Sequence, residues 1–546
     1  MYISYKEKNI TEEQRKKQNE KYIKQKLLEE KKYFDNMFKE IDQNIKLDEN
    51  QRRIILTDEK YTMVIAGAGA GKTTTITAKV NYLIEKQKIK DEEIIIISFT
   101  NKAVDELKNR INKDFKHNVN ITTFHKLGYQ IIKENKKNPP KINTDNQIIK
   151  ECIQQEIKEQ EQIKKTRIEN KIIKKLKNII KKLKPQKKEI KVQQLIQNQI
   201  NICTQYISLC KSKIIEKKEN RTPQLKKTKK QIEYITKICN KYNAELKKRN
   251  LIDFDDIINE ANRIIQTTKK INFKYKYIII DEYQDISENR YRLIQNISKK
   301  IATKIMVVGD DWQCIYSFAS SNINLFTNFK KNVEYCETLK IEKTYRNSQQ
   351  LIDIAGEFIQ KNPNQIKKQL KSEKQLEKPI TIIKYKDKEK TTQTKQEIKK
   401  AIKKALDYII EKYGIEKNIL ILGRYTFDKN EILDDEIIEE ESNKITYKKN
   451  TKVKIEYLTV HTSKGLGYDN VILLNARNNT FGFPSKIKTN KALKHLIIED
   501  KGIKYAEERR LFYVALTRTK NEILILTPNH NYSEFIKEIK NKCNKM

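Results

Sequence analysis

Eight residues, Ala66-Gly-Ala-Gly-Ala-Gly-Lys-Thr73, have the composition of a phosphate cradle. With no bulky side chains, the backbone N–H groups of Ala66, Gly67, Ala68, Gly69, Ala70 and Gly71 can close around oxygen atoms. A helix expected to follow adds its positive end. At this spacing Lys72 reaches the β- and γ-phosphates, and the Thr73 hydroxyl, next to Thr74, is placed for Mg2+. Ala66 stands where the pattern usually has its first glycine. A second signal is Ile278-Ile-Ile-Asp-Glu-Tyr-Gln-Asp285. An aliphatic strand ending in two carboxylates delivers both to a sheet edge. Asp281 would hold Mg2+ and Glu282 would polarise an attacking water. Together the two signals predict hydrolysis of a nucleoside triphosphate such as ATP, without naming the work it drives.

These residues need a scaffold, and short β-rich runs alternate with helical stretches to supply one. Candidate strands are Met63–Ala66, Glu93–Ser98, Tyr277–Ile280 and Lys304–Val308. A second set follows at Ile380–Tyr385, Asn418–Gly423, Val453–Val460, Asn470–Asn475 and Glu522–Thr527. The alternation predicts an α/β fold with two parallel sheets covered by helices. Residues 11–45 read as a charged helix, with Thr11 and Gln14 as a capping box. Residues 140–250 interrupt the first sheet. There Ile196, Ile200, Cys203, Ile207, Cys210 and Ile214 recur at helical spacing, as do Ile172, Leu176, Ile179 and Leu183. Pro185 falls between the two stripes and marks a break. This predicts a Lys-rich helical insertion projecting from the first domain, whose outer faces fit either DNA or plain solvation. Residues 386–415 read as helix and 428–452 as a loop or small irregular insertion.

The chain has 546 residues, too many for one core. Its 114 Lys+Arg against 72 Asp+Glu leave a formal charge of +42, which suits a polyanionic partner. Abundant Ile, Lys and Asn with few Gly and Pro are also what an AT-rich genome produces, so charge alone does not decide. The seven scattered cysteines form no Cys-x-x-Cys pair and read as free thiols in a reducing compartment. With no apolar run of membrane length, the expectation is a soluble protein, cytoplasmic or wherever the DNA resides; a monomer is expected as well.

The remaining motifs resemble those of the UvrD/Rep-type superfamily-1 DNA helicases, over residues 47 to 527 or so. Leu47-Asp-Glu-Asn-Gln51 is similar to that family's adenine-reading motif, which implies that Gln51 meets the base. Its usual Asn is replaced by Asp48. Ser98-Phe-Thr-Asn-Lys-Ala-Val-Asp-Glu-Leu107 and Thr122-Thr-Phe-His-Lys-Leu127 resemble two DNA-contact motifs, implying roles for Phe99, Thr100, Asn101 and His125. Val307-Val-Gly-Asp-Asp-Trp-Gln-Cys-Ile-Tyr-Ser-Phe318 resembles the coupling motif. By resemblance Gln313 senses the γ-phosphate and Tyr316 and Phe318 face DNA. Lys343-Thr-Tyr-Arg-Asn347 implies that Tyr345 stacks on adenine and Arg346 meets the γ-phosphate. Leu422-Gly-Arg-Tyr425 and Thr459-Val-His-Thr-Ser-Lys-Gly-Leu466 imply backbone contacts from Arg424, His461 and Thr462. Glu507-Glu-Arg-Arg-Leu-Phe-Tyr-Val-Ala-Leu-Thr-Arg518 implies that Arg518 is an arginine finger. The Gly-Asp-Asp-Trp-Gln wording is similar to the helicase IV branch.

Departures from the family are specific. Ala319-Ser320 stand where Arg-Gly is usual, and Gly467 stands where a ribose-holding Glu is usual. The stretch between Asn347 and Thr459 is too short for the large accessory domain of typical members. Read one by one, Phe99, Tyr316 and Phe318 fit core aromatics as well as base stacks, His125 and His461 fit structural hydrogen-bonders, and Trp312 fits packing.

The implied architecture is two RecA-like motor domains. The first covers 46–139 and 251–340, interrupted by the insertion at 140–250. The second covers 341–535, after a helix at 1–45 and before a tail at 536–546. The implied activity is ATP- and Mg2+-dependent 3′→5′ movement on single-stranded DNA and at DNA junctions, in repair. The rival reading is an ATP-driven factor that remodels RNA polymerase or another DNA-bound complex.

Overall fold

The computed structural model describes all residues except 1, 6–9, 164–184, 214–222, 270, 388–390, 495, 498–499 and 501. The stripe Ile172, Leu176, Ile179 and Leu183, and Ile214 of the other, lie outside the described residues. Among the described residues the strands form a six-stranded sheet, an eight-stranded sheet and a two-stranded pair.

The first sheet contains β1 (Tyr61–Ala66), β2 (Ile94–Ser98) and β3 (Asn120–Thr123). A small pair, β4 (Lys141–Ile142) and β5 (Leu251–Ile252), comes next in the chain. Then β6 (Tyr277–Ile280), β7 (Lys304–Gly309) and β8 (Glu337–Ile341) complete the sheet. Its spatial order is β3-β2-β6-β7-β1-β8, and every pairing is parallel. Both faces are covered, so strand residues need be apolar on both sides. Along β2, Ile95 and Ile97 enter one core while Ile94 and Ile96 enter the other, as the two-residue strand period requires.

The second sheet contains β9 (Ile380–Tyr385), β10 (Ile419–Gly423), β11 (Ile437–Glu439), β12 (Lys444–Tyr447), β13 (Ile455–Thr459), β14 (Asn470–Leu473), β15 (Ile523–Pro528) and β16 (Asn544–Lys545). Its order is β11-β12-β13-β10-β14-β15-β9-β16. Two expectations need correction here. Residues 428–452, read as a loop, include the antiparallel β11–β12 hairpin that extends the sheet edge. Ile437, Ile445 and Tyr447 are buried in the core beneath, which a count of polar residues hid. Residues 536–546, read as a tail, take part in a helix, Glu534–Ile539, and in β16, which pairs with β9. Phe535, Ile536 and Ile539 lie in the same core as Phe358 and Phe512.

The N-terminal helix Glu12–Glu29 starts on the expected box, with both Thr11–Gln14 bonds present, but it does not run to residue 45: it ends at Glu29, and a short helix, Lys31–Asn36, and turns follow. This segment does not stand free as an arm. Ile23, Phe34 and Phe38 pack with Leu56, Ala78 and Tyr82 of the first domain, and Arg15 pairs with buried Glu59 at 2.7 Å.

The insertion leaves and returns at one point. Lys141 N donates to Asn250 O at 3.0 Å and Asn143 N to Ile252 O at 2.8 Å. Its helices are Gln147–Ile163, Pro185–Ser212 and Pro223–Lys248. It does not simply project from the first half. Its core of Ile153, Ile200, Cys203, Ile207 and Ile238 also takes in Ala492, Leu493 and Leu496 from the loop after β14. Gln231 donates to Asn490 at 3.3 Å and Gln205 to the Phe318 carbonyl at 3.3 Å. The apolar stripe is thus partly satisfied by the second half of the chain.

Among the described residues, no helix is long and apolar enough to cross a membrane. None of the seven cysteines is in a disulfide.

Candidate functional site

Because all six strands of the first sheet run the same way, the loops after them share one edge. The spatial order sets His125 after β3 at one end, then Phe99, Thr100 and Asn101 after β2. Asp281 and Glu282 follow β6 and Gln313 follows β7. The phosphate loop follows β1, and Tyr345 and Arg346 follow β8 at the other end. Ligands of open α/β sheets gather at such carboxyl ends.

The phosphate loop has the form its residues predicted. Gly69 and Gly71 take φ of +68° and +78°, and the helix Lys72–Glu85 starts directly after. Its carbonyls are held from outside. Thr344 Oγ1 donates to Ala68 O at 2.8 Å, Tyr345 N to Gly69 O at 3.1 Å, and Lys368 Nζ to Ala66 O at 3.1 Å. With these carbonyls bound from outside, the loop is held open as a cradle; within it Ala70 N donates to Gly67 O at 3.3 Å.

Gln51 sits behind this loop rather than in an open slot. Its Oε1 accepts from Asp48 N at 3.0 Å and its Nε2 donates to Thr75 Oγ1 at 3.2 Å. Asp48 caps the helix Glu49–Leu56, a task for which Asp and Asn are equivalent, so this departure from the family is conservative. Tyr345 is the more open of the two, at 49% exposure, with its hydroxyl 3.2 Å from Asp48 Oδ2.

Glu282 has a left-handed backbone, φ +51°. For a residue with a side chain this costs about 1–3 kcal/mol, a strain typical of functional turns. The turn brings its carboxylate to Lys72 Nζ at 2.8 Å. Burial pushes the Glu282 carboxyl up, but Lys72 and Lys464 outweigh it and hold the group well below the usual range. Asp281 goes the other way: burial, then the Glu282 charge, pushes it up. Asp281 closes β6 beside the phosphate loop and Thr73 lies in the first turn of the helix Lys72–Glu85, so a carboxylate and a hydroxyl, the hard oxygen donors that Mg2+ takes, stand at one edge.

From Glu282 a chain of hydrogen bonds crosses to the second domain. Gln284 Nε2 donates to Glu282, and its Oε1 accepts from Asp310 N at 2.9 Å. A Cβ at Gly309 would come within 2.6 Å of that Oε1, so a side chain there would push Gln284 off Asp310 N. Asp310 Oδ2 accepts from Gln313 Nε2 at 2.6 Å, and Gln313 Oε1 accepts from Arg518 Nη2 at 3.0 Å. Lys464 adds a second bridge, pairing with Asp285 and lying 3.7 Å from Glu282. Lys368 adds a third, pairing with Asp310 and, at 2.7 Å, with Asp311. Gln284, Asp310, Lys368 and Lys464 were not singled out in the sequence. Gln284, Asp310 and Lys464 lay inside quoted motifs, whereas nothing near Lys368 marks it.

Arg346 donates to Thr517 O at 3.4 Å and Gly465 O at 3.5 Å. A Cβ at Gly467 would stand 3.0 Å from its Nε. Arg346 therefore lies against the position where the family usually carries Glu. Ser320, where the family has Gly, keeps a glycine-like φ of +74°.

The DNA candidates separate into exposed and packed groups. Phe318 is 44% exposed and lies 5.6 Å from the His461 ring; Tyr316 is half-buried and its hydroxyl donates to His461 O at 3.1 Å. Phe99 is half-buried against Phe124, with the Arg290 guanidinium over it at 5.4 Å. Thr100, Asn101 and Thr462 are exposed. Thr100 caps the helix Asn101–Lys108. Burial, and then Arg290 for His125 or Arg424 for His461, holds both imidazoles down to about 4. They are therefore neutral near pH 7. Arg424 is bound to Glu508, at 2.6 Å for the closest pair. Trp312 is fully buried, its Nε1 donating to Ile366 O at 3.0 Å. Phe318→Ala is expected to weaken binding of an oligo(dT) by about 1–3 kcal/mol in an anisotropy titration. A lowered melting temperature with unchanged binding would make Phe318 a packing residue.

Comparison with known proteins agrees with this geometry. Residues 47–334 match the UvrD/REP helicase N-terminal domain and 425–530 the UvrD-like helicase C-terminal domain. DNA helicase IV of Escherichia coli is 27% identical over 91% of this chain and 70% of its own length. A probable DNA helicase II homolog of Mycoplasma capricolum is 28% identical over 69% of this chain, and the chain spans 49% of it. ATP-dependent DNA helicase Rep of Buchnera aphidicola (subspecies Baizongia pistaciae) is 30% identical over 63%, and the chain spans 47% of it. The first-domain match alone covers more than half of the residues, and it contains the phosphate loop, the Asp281–Glu282 turn and the Gln313 loop. The chain belongs to the UvrD/REP helicase family of ATP-hydrolysing DNA helicases.

Proposed function

We propose that this chain is an ATP-driven motor that moves 3′→5′ along single-stranded DNA, with both ligands served by one edge of the first sheet. The observation that carries the reading is the loop 310–318. One end of it bonds Gln284 and Arg518; the other bears Tyr316 and Phe318. The same loop is gripped by the second domain, through Arg510 to Cys314 O at 2.6 Å and Glu507 to Ser317 N at 3.1 Å.

In this reading Lys72, Arg346 and Arg518 surround the γ-phosphate and Glu282 takes the proton of the attacking water. Mg2+ held by Thr73 and Asp281 would neutralise charge on the β- and γ-oxygens. Arg518 and Arg346 reach the nucleotide from the second domain's side, so hydrolysis changes what holds the two domains together. Gln313 registers that change and moves the ring-bearing end of its own loop. Stacking by rings tolerates any base, which suits a motor that must pass every sequence. The direction follows from the family resemblance.

The test is ATP hydrolysis with and without single-stranded DNA, followed by unwinding of duplexes bearing 3′ or 5′ tails. Stimulation by DNA and unwinding only from 3′ tails is the expected result. Stimulation by RNA polymerase alone would replace the motor with a remodelling factor, and unwinding from 5′ tails would reverse the direction.

The insertion is the sizeable basic body beside the Phe318 loop, and in this reading it holds or splits the duplex. Replacing residues 144–249 by a short linker is feasible because β4 and β5 pair directly. Leu493 and Leu496 must become Ser in the same variant, since they lose their cover. Such a variant is expected to keep most DNA-stimulated ATP hydrolysis and lose most unwinding. Full unwinding by the folded variant would place the wedge elsewhere.

A further inference from the structure

A group of exposed rings lies on the second domain beyond the residues given a role so far. Tyr425 and Phe427 stack with centroids 4.9 Å apart and planes 5° apart. Phe481 stands across the edge of both, 5.9 Å and 5.7 Å away at 79° and 84°. The Arg424 guanidinium lies 4.8 Å from the centre of Tyr425. Phe427 is 46% exposed, Phe481 49% and Ile487, in the same loop as Phe481, 50%. Large apolar groups gathered in water in this way mark a binding surface.

The support beneath the rings is rigid. The Tyr425 hydroxyl donates to Ser485 Oγ at 2.6 Å, Tyr457 donates to Tyr425 O at 2.6 Å, and Tyr425 N donates to Asp428 at 2.9 Å. The outer rings, Phe427 and Phe481, stay half exposed.

We propose that Phe427 and Phe481, backed by Tyr425, form a stacking platform for a base of single-stranded DNA. The proposal rests on the motor reading above and adds two rings, Phe427 and Phe481, to the DNA candidates Arg424, His461 and Thr462 of the second sheet. Continuity is the main argument. Residues 424–427 follow β10, His461 and Thr462 follow β13, and Phe481 follows β14. These three strands are adjacent and parallel, with Gly423 level with Thr459 and Leu422 with Leu473. All three loops therefore share one edge, and Phe318 touches His461 at that edge. Arg424 is close enough to help hold the His461 imidazole down. The Arg424 guanidinium and the Phe427 ring both lie on Tyr425, Phe427 is half exposed, and a base is a flat body that stacks on such a ring. Lys486 and Lys488 follow Phe481 in its loop and suit the phosphates of the strand.

Binding of oligo(dT) strands of increasing length is measured for the full chain and for the Phe427→Ala/Phe481→Ala double variant. An abasic site is then moved along the longest strand. The double variant should lose about 5- to 150-fold in affinity for long strands and little for the shortest that bind. In the wild type one abasic position beyond those read by Phe318 should cost a similar factor, and that cost should vanish in the double variant. Phe427→Trp should retain the affinity. Both rings are half exposed, so melting temperatures should match.

An unchanged length dependence and abasic profile, with Phe318→Ala still weakening binding, would overturn the platform and leave the motor reading standing. The patch would then belong to a protein contact. An equal loss at every length would likewise overturn it, as a general effect on the domain. Absence of both strand binding and DNA-stimulated hydrolysis in the wild type would remove the motor reading, and the platform with it.

Discussion

Arg518→Ala is expected to lower ATP turnover by about 10³- to 10⁵-fold while changing ATP affinity far less, the signature of an arginine finger. The side chain is enclosed. Its Nε donates to Val514 O at 2.9 Å, Nη1 to Leu466 O at 2.9 Å and Nη2 to Gln313 Oε1 at 3.0 Å. Burial, and then the neighbouring Arg346, brings its pKa down to about 9. Its direct hydrogen-bond partners are all neutral oxygens, and burial outweighs the nearby Glu282 and Asp310 charges, so the cation is poorly compensated. Negative charge that builds on the γ-phosphate during transfer relieves it more than the ground state does, so the benefit falls on the transition state. Single-turnover hydrolysis and a nucleotide titration separate the two effects. An unchanged turnover would remove Arg518 from the chemistry. Arg518→Lys keeps a cation but not the fork, and should recover only part of the loss. A common fall in melting temperature without a fall in turnover would show a structural role instead.

Glu282→Gln is expected to slow hydrolysis by about 10²- to 10⁴-fold, the usual worth of a general base, and to leave ATP binding intact or tighter. The second half of that expectation comes from the 2.8 Å pair between Lys72 and Glu282. An incoming phosphate competes with this carboxylate for the same ammonium. Glutamine withdraws the competitor without changing the shape of the side chain. Lys72→Ala should do the opposite and abolish hydrolysis with loss of phosphate grip. Isothermal titration with a slowly hydrolysed ATP analogue, beside a phosphate-release assay, distinguishes them. If Glu282→Gln lost binding as badly as Lys72→Ala, its role as base would be wrong.

Much of this was legible in the residues because it is local. Ala66–Thr73 needs only its own small side chains and the next helix to form a cradle. Ile278–Ile280 needs only its aliphatic run to become a strand that ends on Asp281. Thr11 and Gln14 cap a helix by reaching three residues. Each such feature is written within one window of chain, because strand burial, helix capping and loop sterics act over a few residues. The two sheets followed from these windows.

Tertiary structure alone decided what lies side by side. The strands occur in the chain as β1, β2, β3, β6, β7, β8, yet only the order β3-β2-β6-β7-β1-β8 sets Gln313 between the phosphate loop and the DNA candidates. Lys464 meets Asp285 across 179 residues, and Lys368 meets Asp310 across 58. A lysine carries no mark of which carboxylate will bury it, since its local sequence looks like any solvated stretch. The same holds for Phe427 and Phe481, which read as isolated aromatics until β10 and β14 bring their loops together. It holds too for Leu493 and Leu496, whose partners are the helices of the insertion. Hydrophobic spacing records that a face will be buried; which distant surface buries it is set when the strands and helices pack.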